Sequence, residues 1–492
     1  MTTPSSIARR EFLRQSAGGV AVAAASSTAA GQAIGPEGAQ RPNVLWIFGD
    51  QHRAQALSCM GDVNLSTPNI DALAGGAGTT AIAGAPLCTP FRGAMLTSRY
   101  PHQCVPGHDY AMPDGMPMVS TAFNEAGYRT AYFGKWHVDG RENRAEGERS
   151  GKQFVRPERR GAFETWLGYE NNNLQYDCWL HGHDTSGSEV SLFQLQGYET
   201  DAITNHLIDY IKERGAERAS GNARPFFAAM SVQPPHSPYV APEEFMARHR
   251  PEDIQLRPNV PNVARIVEEA RRDLAGYYAM IENLDWNVGR VVRALEESGQ
   301  LEDTYIVFFS DHGDMHGSQA RILKCVPWEE SIRIPFIVSK GGQPCVRPVS
   351  PTPRDTMINH VDIAPTTLGL CGLPIPGWMH GKDCSGLFIE GRDEPEGLDS
   401  AFLQLIDPGY RYGFAVDRER PWRGVVTQDG WKYAVLDGGQ PWLLHNLNED
   451  PYELANLAMD GRVKAERRKL QERLADWLKD TGDWFALPTL PQ

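Results

Sequence analysis

The chain has 492 residues, of which 41% are hydrophobic and 22% charged, as in a globular protein large enough for roughly two or three domains. Its formal net charge of −14 argues against a nucleic-acid-binding protein, because such a surface repels a phosphate backbone. The eight cysteines include no C-x-x-C pair, so neither a zinc ribbon nor a disulfide framework is indicated.

The N-terminus is similar to an export signal. Residues 8–14 read A-R-R-E-F-L-R and precede a run of small and apolar residues from Ala17 to Ala25, with Ala-rich candidate cleavage sites up to about Ala33. The pattern predicts a twin-arginine signal peptide over residues 1–33 and an exported protein, periplasmic or secreted. A disordered basic tail is the alternative. The apolar run is too short to span a bilayer, so no membrane span is expected.

Strands and helices alternate over residues 34–390. Short apolar runs that end in polar or glycine-containing turns are typical of buried parallel strands, and they cover Asn43–Phe48, Thr130–Phe133, Pro225–Val232, Thr304–Ser310 and Ile334–Ser339. The clearest helical pattern runs from Val267 to Glu297. This alternation predicts an α/β domain with a central, mostly parallel sheet flanked by helices, with Gly341–Pro353 as a surface loop.

The polar break at Gly391 begins a second pattern. Strand-like runs follow at Arg423–Thr427, Trp431–Leu436 and Trp442–Leu447, and then a helix near Val463–Leu478. Residues 391–492 are therefore predicted to form a small α+β domain in which one helix packs on an antiparallel sheet.

Residues 88–99 read C-T-P-F-R-G-A-M-L-T-S-R and contain C-x-P-x-R followed by L-T-S-R. Taken alone, Cys88 could equally be a small buried hydrophobe, as most unpaired cysteines are. The residues that follow the predicted strands give it a chemical setting, since ligands of open parallel sheets bind beyond the carboxyl ends of the strands. Those positions hold Asp50, Gln51, Lys135, His137, His236, Asp311 and His312.

These residue types suit an anionic ester and a divalent cation. Asp50, Gln51 and Asp311 offer oxygen ligands, and His312 offers a nitrogen ligand. The cations Arg92, Lys135 and Lys324 could stabilise the dispersed charge of a sulfate ester as its S–O bond breaks.

The chain resembles a type I, formylglycine-dependent sulfatase of the alkaline phosphatase-like superfamily, with matches from Pro42 to about Leu457. The resemblance rests on the Cys88 motif and on N-V-L-W-I-F-G-D-Q, G-K-W-H, P-P-H-S-P-Y, S-D-H-G-D, Lys324 before P-W-E-E-S-I-R-I-P-F, and N-E-D-P-x-E-x-x-N-L. It implies hydrolysis of a sulfate monoester, on a sugar by our interpretation, after a maturation enzyme has oxidised Cys88 to formylglycine.

The resemblance also implies a role for each site residue. Asp50, Gln51, Asp311, His312 and residue 88 would bind the metal, usually Ca²⁺, with Mg²⁺ or Mn²⁺ as alternatives. Arg92 and Lys135 would orient the hydrated aldehyde, and His137 would act as its base. His236 and Lys324 would hold the sulfate and assist the leaving alcohol.

Two departures from the family pattern keep other activities open. Many members have aspartate at the position of Gln51 and asparagine at that of His312, and the pairing found here is also similar to choline-sulfatases and phosphonate monoester hydrolases. A phosphonate monoesterase or phosphodiesterase is the first alternative. The second is a non-catalytic protein that binds anionic glycans with Cys88 left as a thiol.

Two further groups could contact a substrate. The basic stretch 140–161 could bind an anion, although a solvated loop is favoured. His102, His181, His183, Trp378 and His380 are weaker candidates, because loop histidines and aromatics more often pack or are solvated.

Overall fold

The computed structural model describes residues 41–75, 79–108, 110–146, 149–222, 224–345, 357–393, 395–407 and 420–489. The predicted signal peptide, residues 1–33, lies outside this range. Within it, no helix has both the length and the apolarity needed to cross a membrane.

A ten-stranded sheet forms the centre of the fold. Its strands are β1 (Asn43–Gly49), β2 (Thr80–Ile82), β3 (Arg129–Lys135), β4 (Thr165–Tyr169), β5 (Trp179–His183), β6 (Glu189–Gln194), β7 (Phe226–Val232), β8 (Thr304–Ser310), β9 (Arg333–Lys340) and β10 (Gln343–Pro344). The order is β10-β9-β8-β1-β7-β3-β4-β5-β6, and β2 pairs with β9. The five central strands from β8 to β4 are parallel, and the strands at both edges are antiparallel.

Helices cover both faces of this sheet, as predicted. The described α-helices are α1 (Pro68–Ala74), α2 (Cys88–Thr97), α3 (Val119–Glu125), α4 (Glu199–Ala219), α5 (Glu243–Met246), α6 (Ala264–Glu297), α7 (Glu329–Ile332), α8 (Ile363–Leu370) and α9 (Lys464–Thr481). Leu45 and Ile47 of β1 pack with α1, α4 and α6, whereas Val44 and Trp46 pack with α2, α3 and α8. Successive side chains of a strand point to opposite faces, so a strand buried on both faces is apolar throughout.

The small sheet is a four-stranded antiparallel meander. Its strands are β11 (Ser400–Leu405), β12 (Trp422–Thr427), β13 (Trp431–Leu436) and β14 (Gln440–Asn446), and α9 packs against it. Phe402, Tyr433 and Leu474 belong to the same apolar cluster as Trp46 of the large sheet. The described residues, 41 to 489 with the gaps given above, therefore belong to one compact unit, and the division at residue 391 stays a prediction.

The structure corrects the prediction of a loop over Gly341–Pro353. Gln343 and Pro344 form β10, which pairs with β9 across a turn at Gly341 and Gly342. Both glycines have positive φ, 61° and 72°, the conformation that a tight hairpin turn requires. Residues 346–353 of the predicted loop lie outside the described residues.

Candidate active site

The register of the parallel strands brings the predicted site residues to one edge of the sheet. Gly49 at the end of β1 is level with Val232 of β7 and with Ser310 of β8. The chain therefore leaves all three strands at the same height, and Asp50 and Asp311 start adjacent loops.

Cys88 begins the buried helix α2, which points its N-terminus at this edge of the sheet. The Cys88 Sγ lies 3.5 Å from Asp50 Oδ1 and 3.1 Å from His312 Nε2. Arg92 follows four residues later, so it lies on the same face of the helix, one turn further on. Its guanidinium donates to Asp311 Oδ2 at 3.2 Å and to Asp50 Oδ2 at 3.4 Å.

Asp50, Cys88, Asp311 and His312 form a cluster that could hold a metal ion. One ligand atom from each lies within 4.8 Å of the others, and all four side chains are buried. The His312 Nδ1 lies 3.0 Å from the Gly313 carbonyl oxygen, so Nδ1 donates its proton there and the Nε2 lone pair faces the cluster. Two carboxylates and a neutral imidazole are a donor set that fits a divalent cation.

Two cations, Lys135 and Arg92, contact the two carboxylates. The Lys135 Nζ donates to Asp50 Oδ2 at 2.6 Å, and Arg92 bridges Asp50 and Asp311. Burial alone would raise the pKa of Asp50, but the positive charges of Lys135, Arg92 and Lys324 hold that pKa well below its usual range. Asp50 is therefore an anion at neutral pH, and Lys135 and Arg92 offset its charge.

Gln51 joins the carboxylates to Lys324. Its backbone N–H donates to Asp311 Oδ1 at 2.9 Å, and its side-chain carbonyl accepts from Lys324 Nζ at 2.6 Å. That contact leaves the carbonyl oxygen one further lone pair, and a metal-binding role for Gln51 stays a prediction. Gln51 has a φ of 72°, and His137 has a φ of 57°, so two predicted site residues adopt a conformation that is strained for side chains of this size.

The two predicted catalytic histidines are in different environments. His236 donates from Nδ1 to the Ser237 carbonyl at 2.7 Å and accepts from Lys324 at Nε2, at 2.9 Å. Neither ring nitrogen of His137 has a hydrogen-bond partner among the described residues. Burial lowers the pKa of both imidazoles well below the usual value, and Lys324 adds to the effect at His236, as Lys135 does at His137. Both are neutral at physiological pH and can accept a proton.

Three further residues, which the sequence analysis did not assign to the site, contact its members. Ser231 of β7 accepts from Arg92 at 2.8 Å. Asp314 accepts from Gln51 Nε2 at 2.5 Å and from the Tyr239 hydroxyl at 2.7 Å. The ring of His108 lies 4.9 Å from that of His137. Asp314 lies within the S-D-H-G-D motif, which was a usable signal, whereas His108 lies in a loop without one.

Several basic side chains of the stretch 140–161 have partners among the described residues. They include Arg149 with Asp177, Lys152 over the Trp179 ring, Arg159 with Asp139, and Arg160 with Glu189. The prediction of solvated side chains is wrong for Arg159 and Arg160, whose side chains are 7% and 0% exposed. Carboxylates elsewhere in the fold offset the charge of both guanidinium groups.

The weaker candidates for substrate contact have packing roles. His102 bonds Gln404 and the Thr481 carbonyl. The remaining contacts are His181 with the Val155 N–H, His183 with the Phe163 carbonyl, His380 with Gln103, and Trp378 with the core. These bonds hold loops to the fold.

Comparison with known proteins agrees with this geometry. A family model described as sulfatase matches residues 42–373, and one described as N-sulphoglucosamine sulphohydrolase, C-terminal, matches residues 321–480. An ulvan-active sulfatase from Formosa agariphila is 32% identical over 457 residues, which are 90% of this chain and 82% of that protein. An endo-4-O-sulfatase from Bacteroides thetaiotaomicron is 29% identical over 520 residues, 95% of this chain and 98% of that protein.

Solved structures have the same fold. One from Bacteroides thetaiotaomicron, described in connection with glycosaminoglycan metabolism, is 27% identical with a TM-score of 0.75, covering 90% of this chain and 97% of that one. A phosphonate monoester hydrolase of Agrobacterium radiobacter also has this fold. It is 22% identical, with a TM-score of 0.68 and coverage of 90% of this chain and 96% of that one. A sulfatase family model matches two thirds of the chain, and a relative 32% identical over 90% of the chain is a sulfatase. The chain therefore belongs to the sulfatase family and is a sulfuric ester hydrolase.

Proposed function

We propose that this enzyme removes sulfate from a sulfated carbohydrate, using a divalent cation and a formylglycine made from Cys88. The observation that carries the proposal is the buried cluster of Asp50, Cys88, Asp311 and His312, with Arg92 and other cations around it. Ca²⁺ is the cation we expect, because carboxylate oxygens provide its preferred ligands.

The environment of Cys88 supports its conversion. Burial raises the pKa of the Cys88 thiol to about 12, and the charge of Asp50 adds to the shift. The unmodified side chain would stay protonated at neutral pH and would be a poor nucleophile. A hydrated aldehyde at this position supplies a hydroxyl to attack sulfur and a second hydroxyl through which sulfate is expelled.

The donor set supports a resident cation. Asp50, Asp311 and the His312 Nε2 would hold it, with Gln51 as a further oxygen donor. A bound divalent cation would offset the two carboxylates and polarise a sulfate oxygen.

The remaining side chains divide the proton transfers. Lys324 and His236, 2.9 Å apart, form one side of the site, where they can hold the sulfate and assist the leaving alcohol, with the Lys324 ammonium as the proton donor. His137 is neutral and can accept a proton at a ring nitrogen, which suits the base that acts on residue 88.

The relatives favour a saccharide. Two proteins similar to this chain over nine tenths of its length are named as ulvan-active and endo-4-O-sulfatases. A sulfated mono- or oligosaccharide is therefore the substrate class we propose, with a formylglycine-generating enzyme as the maturation partner.

The test compares substrates on matured enzyme, with Cys88→Ala as the inactive control. We expect kcat/KM for 4-nitrophenyl sulfate to exceed that for an aryl phosphonate monoester, and a panel of defined sulfated saccharides to identify the sugar. A large advantage for the phosphonate would make the chain a phosphonate monoesterase. Glycan binding by matured protein without sulfate release would make it a non-catalytic binder.

Export follows from the N-terminal pattern, which also suits the chemistry, since Cys88 could be oxidised in the cytoplasm before folding buries it. Replacement of Arg9 and Arg10 by lysine should retain the protein inside the cell. Unchanged export of that variant would contradict twin-arginine transport.

A further inference from the structure

The candidate site opens to solvent beside His236. The other nine predicted site residues are at most 4% exposed, whereas His236 is partly exposed. The sulfate group of a substrate would sit among buried cations, so the alcohol portion must project towards His236. The surface around His236 is therefore where the enzyme meets the rest of the substrate.

A loop from a neighbouring strand forms part of that surface. Residues 171–177, which read N-N-N-L-Q-Y-D, follow β4 after Glu170. Gln175 donates from Nε2 to the carbonyl oxygens of His236, at 3.2 Å, and of Pro238, at 3.1 Å. Asn172 donates to the Leu174 carbonyl at 2.9 Å, inside the loop. These bonds fix the loop beside the opening.

Two polar side chains of the loop are buried, whereas its two apolar side chains are exposed. Asn172 and Gln175 are 8% and 3% exposed, whereas Leu174 and Tyr176 are 44% and 50% exposed. Val240, in the segment that also carries His236, is 41% exposed. The Tyr176 ring packs edge-on against Tyr198 at 5.3 Å, and the Tyr198 hydroxyl donates to the Val240 carbonyl at 3.0 Å. Exposed apolar side chains on two segments that are hydrogen-bonded to each other, one of which carries His236, favour a binding surface.

We propose that Leu174, Tyr176 and Val240 form a saccharide-binding surface that holds the sugar portion of the substrate next to His236. The inference rests on the proposed function. A pyranose ring has an apolar C–H face that can lie on Tyr176, while its hydroxyls can accept from the side-chain NH₂ of Asn173, an exposed residue whose Oδ1 accepts from Gln233 at 3.1 Å. The surface is continuous with the site, because Gln175 ties its loop to the His236 backbone.

The test measures KM and kcat for 4-nitrophenyl sulfate and for a sulfated oligosaccharide. Tyr176→Ala should raise KM for the oligosaccharide about fivefold to tenfold and leave kcat/KM for the aryl ester within about twofold. Tyr176→Phe keeps the ring and should behave as wild type. Trp286→Ala is the matched control, because Trp286 is 42% exposed and contacts Phe245 and Arg290 instead.

The other possible outcomes either refute the saccharide-binding surface or separate it from the proposed function. Equal losses on both substrates would show that Tyr176 supports the fold, and unchanged oligosaccharide kinetics would remove it from the surface. A change in oligomeric state in Tyr176→Ala would assign the patch to a second copy of the chain. If wild-type enzyme hydrolyses neither ester, the proposed function fails, and loss of oligosaccharide binding in Tyr176→Ala, measured by calorimetry, would still support the surface.

Discussion

Asp314 offers the sharpest test of how the site is held together. Its carboxylate accepts four hydrogen bonds: at Oδ1 from the backbone N–H groups of His316 (3.1 Å) and Leu323 (2.9 Å), and at Oδ2 from Gln51 (2.5 Å) and Tyr239 (2.7 Å). Burial alone would raise the pKa of Asp314, but His316 and the Tyr239 hydroxyl outweigh it and lower that pKa to about 2. The anion thus joins three segments that carry Gln51, Tyr239 and Lys324.

Asp314→Ala removes all four acceptor contacts inside the protein. At about 1 kcal/mol for each donor left without a partner, the free energy of unfolding should fall by about 4 kcal/mol. Asp314→Asn keeps the oxygen that serves the two backbone N–H groups, so we expect a loss of about 2 kcal/mol. The Gln51 amide could rotate so that its oxygen accepts from the side-chain amide of the new asparagine. Its NH₂ group would then face Lys324 in place of the oxygen that now accepts from Lys324, so asparagine cannot replace the lost hydrogen bond without breaking another.

Activity should fall further than stability alone explains. Gln51 and Lys324 would lose the contact that orients them, and kcat/KM for an aryl sulfate should drop about 10- to 100-fold in the folded Asp314→Asn variant. Guanidinium unfolding gives the stability, and initial rates on folded protein give kcat/KM. Asp184→Ala is the control, because its carboxylate serves only an exposed turn and should change neither quantity. Wild-type stability and activity in Asp314→Ala would refute the reasoning.

Four more outcomes are expected. When matured in the presence of its modifying enzyme, the protein should yield a tryptic peptide containing residue 88 that has exchanged sulfur for oxygen, has lost two hydrogen atoms and reacts with hydrazides. Full activity with Cys88 as a thiol would contradict the mechanism. Chelation should abolish activity, as should Asp311→Ala without unfolding the chain, whereas activity that persists after chelation would exclude an essential metal. His137→Ala should release one equivalent of alcohol and retain a sulfo group on residue 88, whereas His236→Ala should slow cleavage of the ester and leave no adduct. If mass spectra show the sulfo adduct in His236→Ala and not in His137→Ala, the roles of the two histidines are reversed. Burial, with a smaller effect of Asp71, raises the pKa of Asp285 to about 6. The contribution of this group to the free energy of unfolding should therefore fall by at most about 3 kcal/mol as pH rises from about 4 to 6. Asp285→Asn should lack this pH dependence, and parallel profiles of unfolding free energy against pH for wild type and variant would contradict the prediction.

The sequence by itself determined the chemistry and the strands that carry it. The runs at β1, β7 and β8 are continuously apolar because both faces are buried, so their ends could be located to within about a residue and the polar residues beyond them identified. The Cys88 motif and the residue types at the strand ends then indicated an anionic ester and a metal.

Other parts carried weak signals. β5 and β6 extend the sheet at an edge, where β6 is largely exposed and its side chains need not be apolar. Arg159 and Arg160 read as a solvated charge run, because their acceptors Asp139 and Glu189 lie 20 and 29 residues away in sequence. No local pattern reports such a partner.

Only the tertiary structure decided how the site is assembled and where it opens. The register of β1 against β7 and β8 places the loop that begins at Asp50 beside the loop that begins at Asp311, although the two loops are far apart in sequence. This placement depends on the order of the strands in the sheet and not on the local sequence of either loop. The same packing buries nine predicted site residues and leaves His236 partly exposed, beside the Leu174 and Tyr176 loop. Residue type sets what a side chain can do, whereas its protonation, its partners and its access to substrate depend on neighbours that long-range packing supplies.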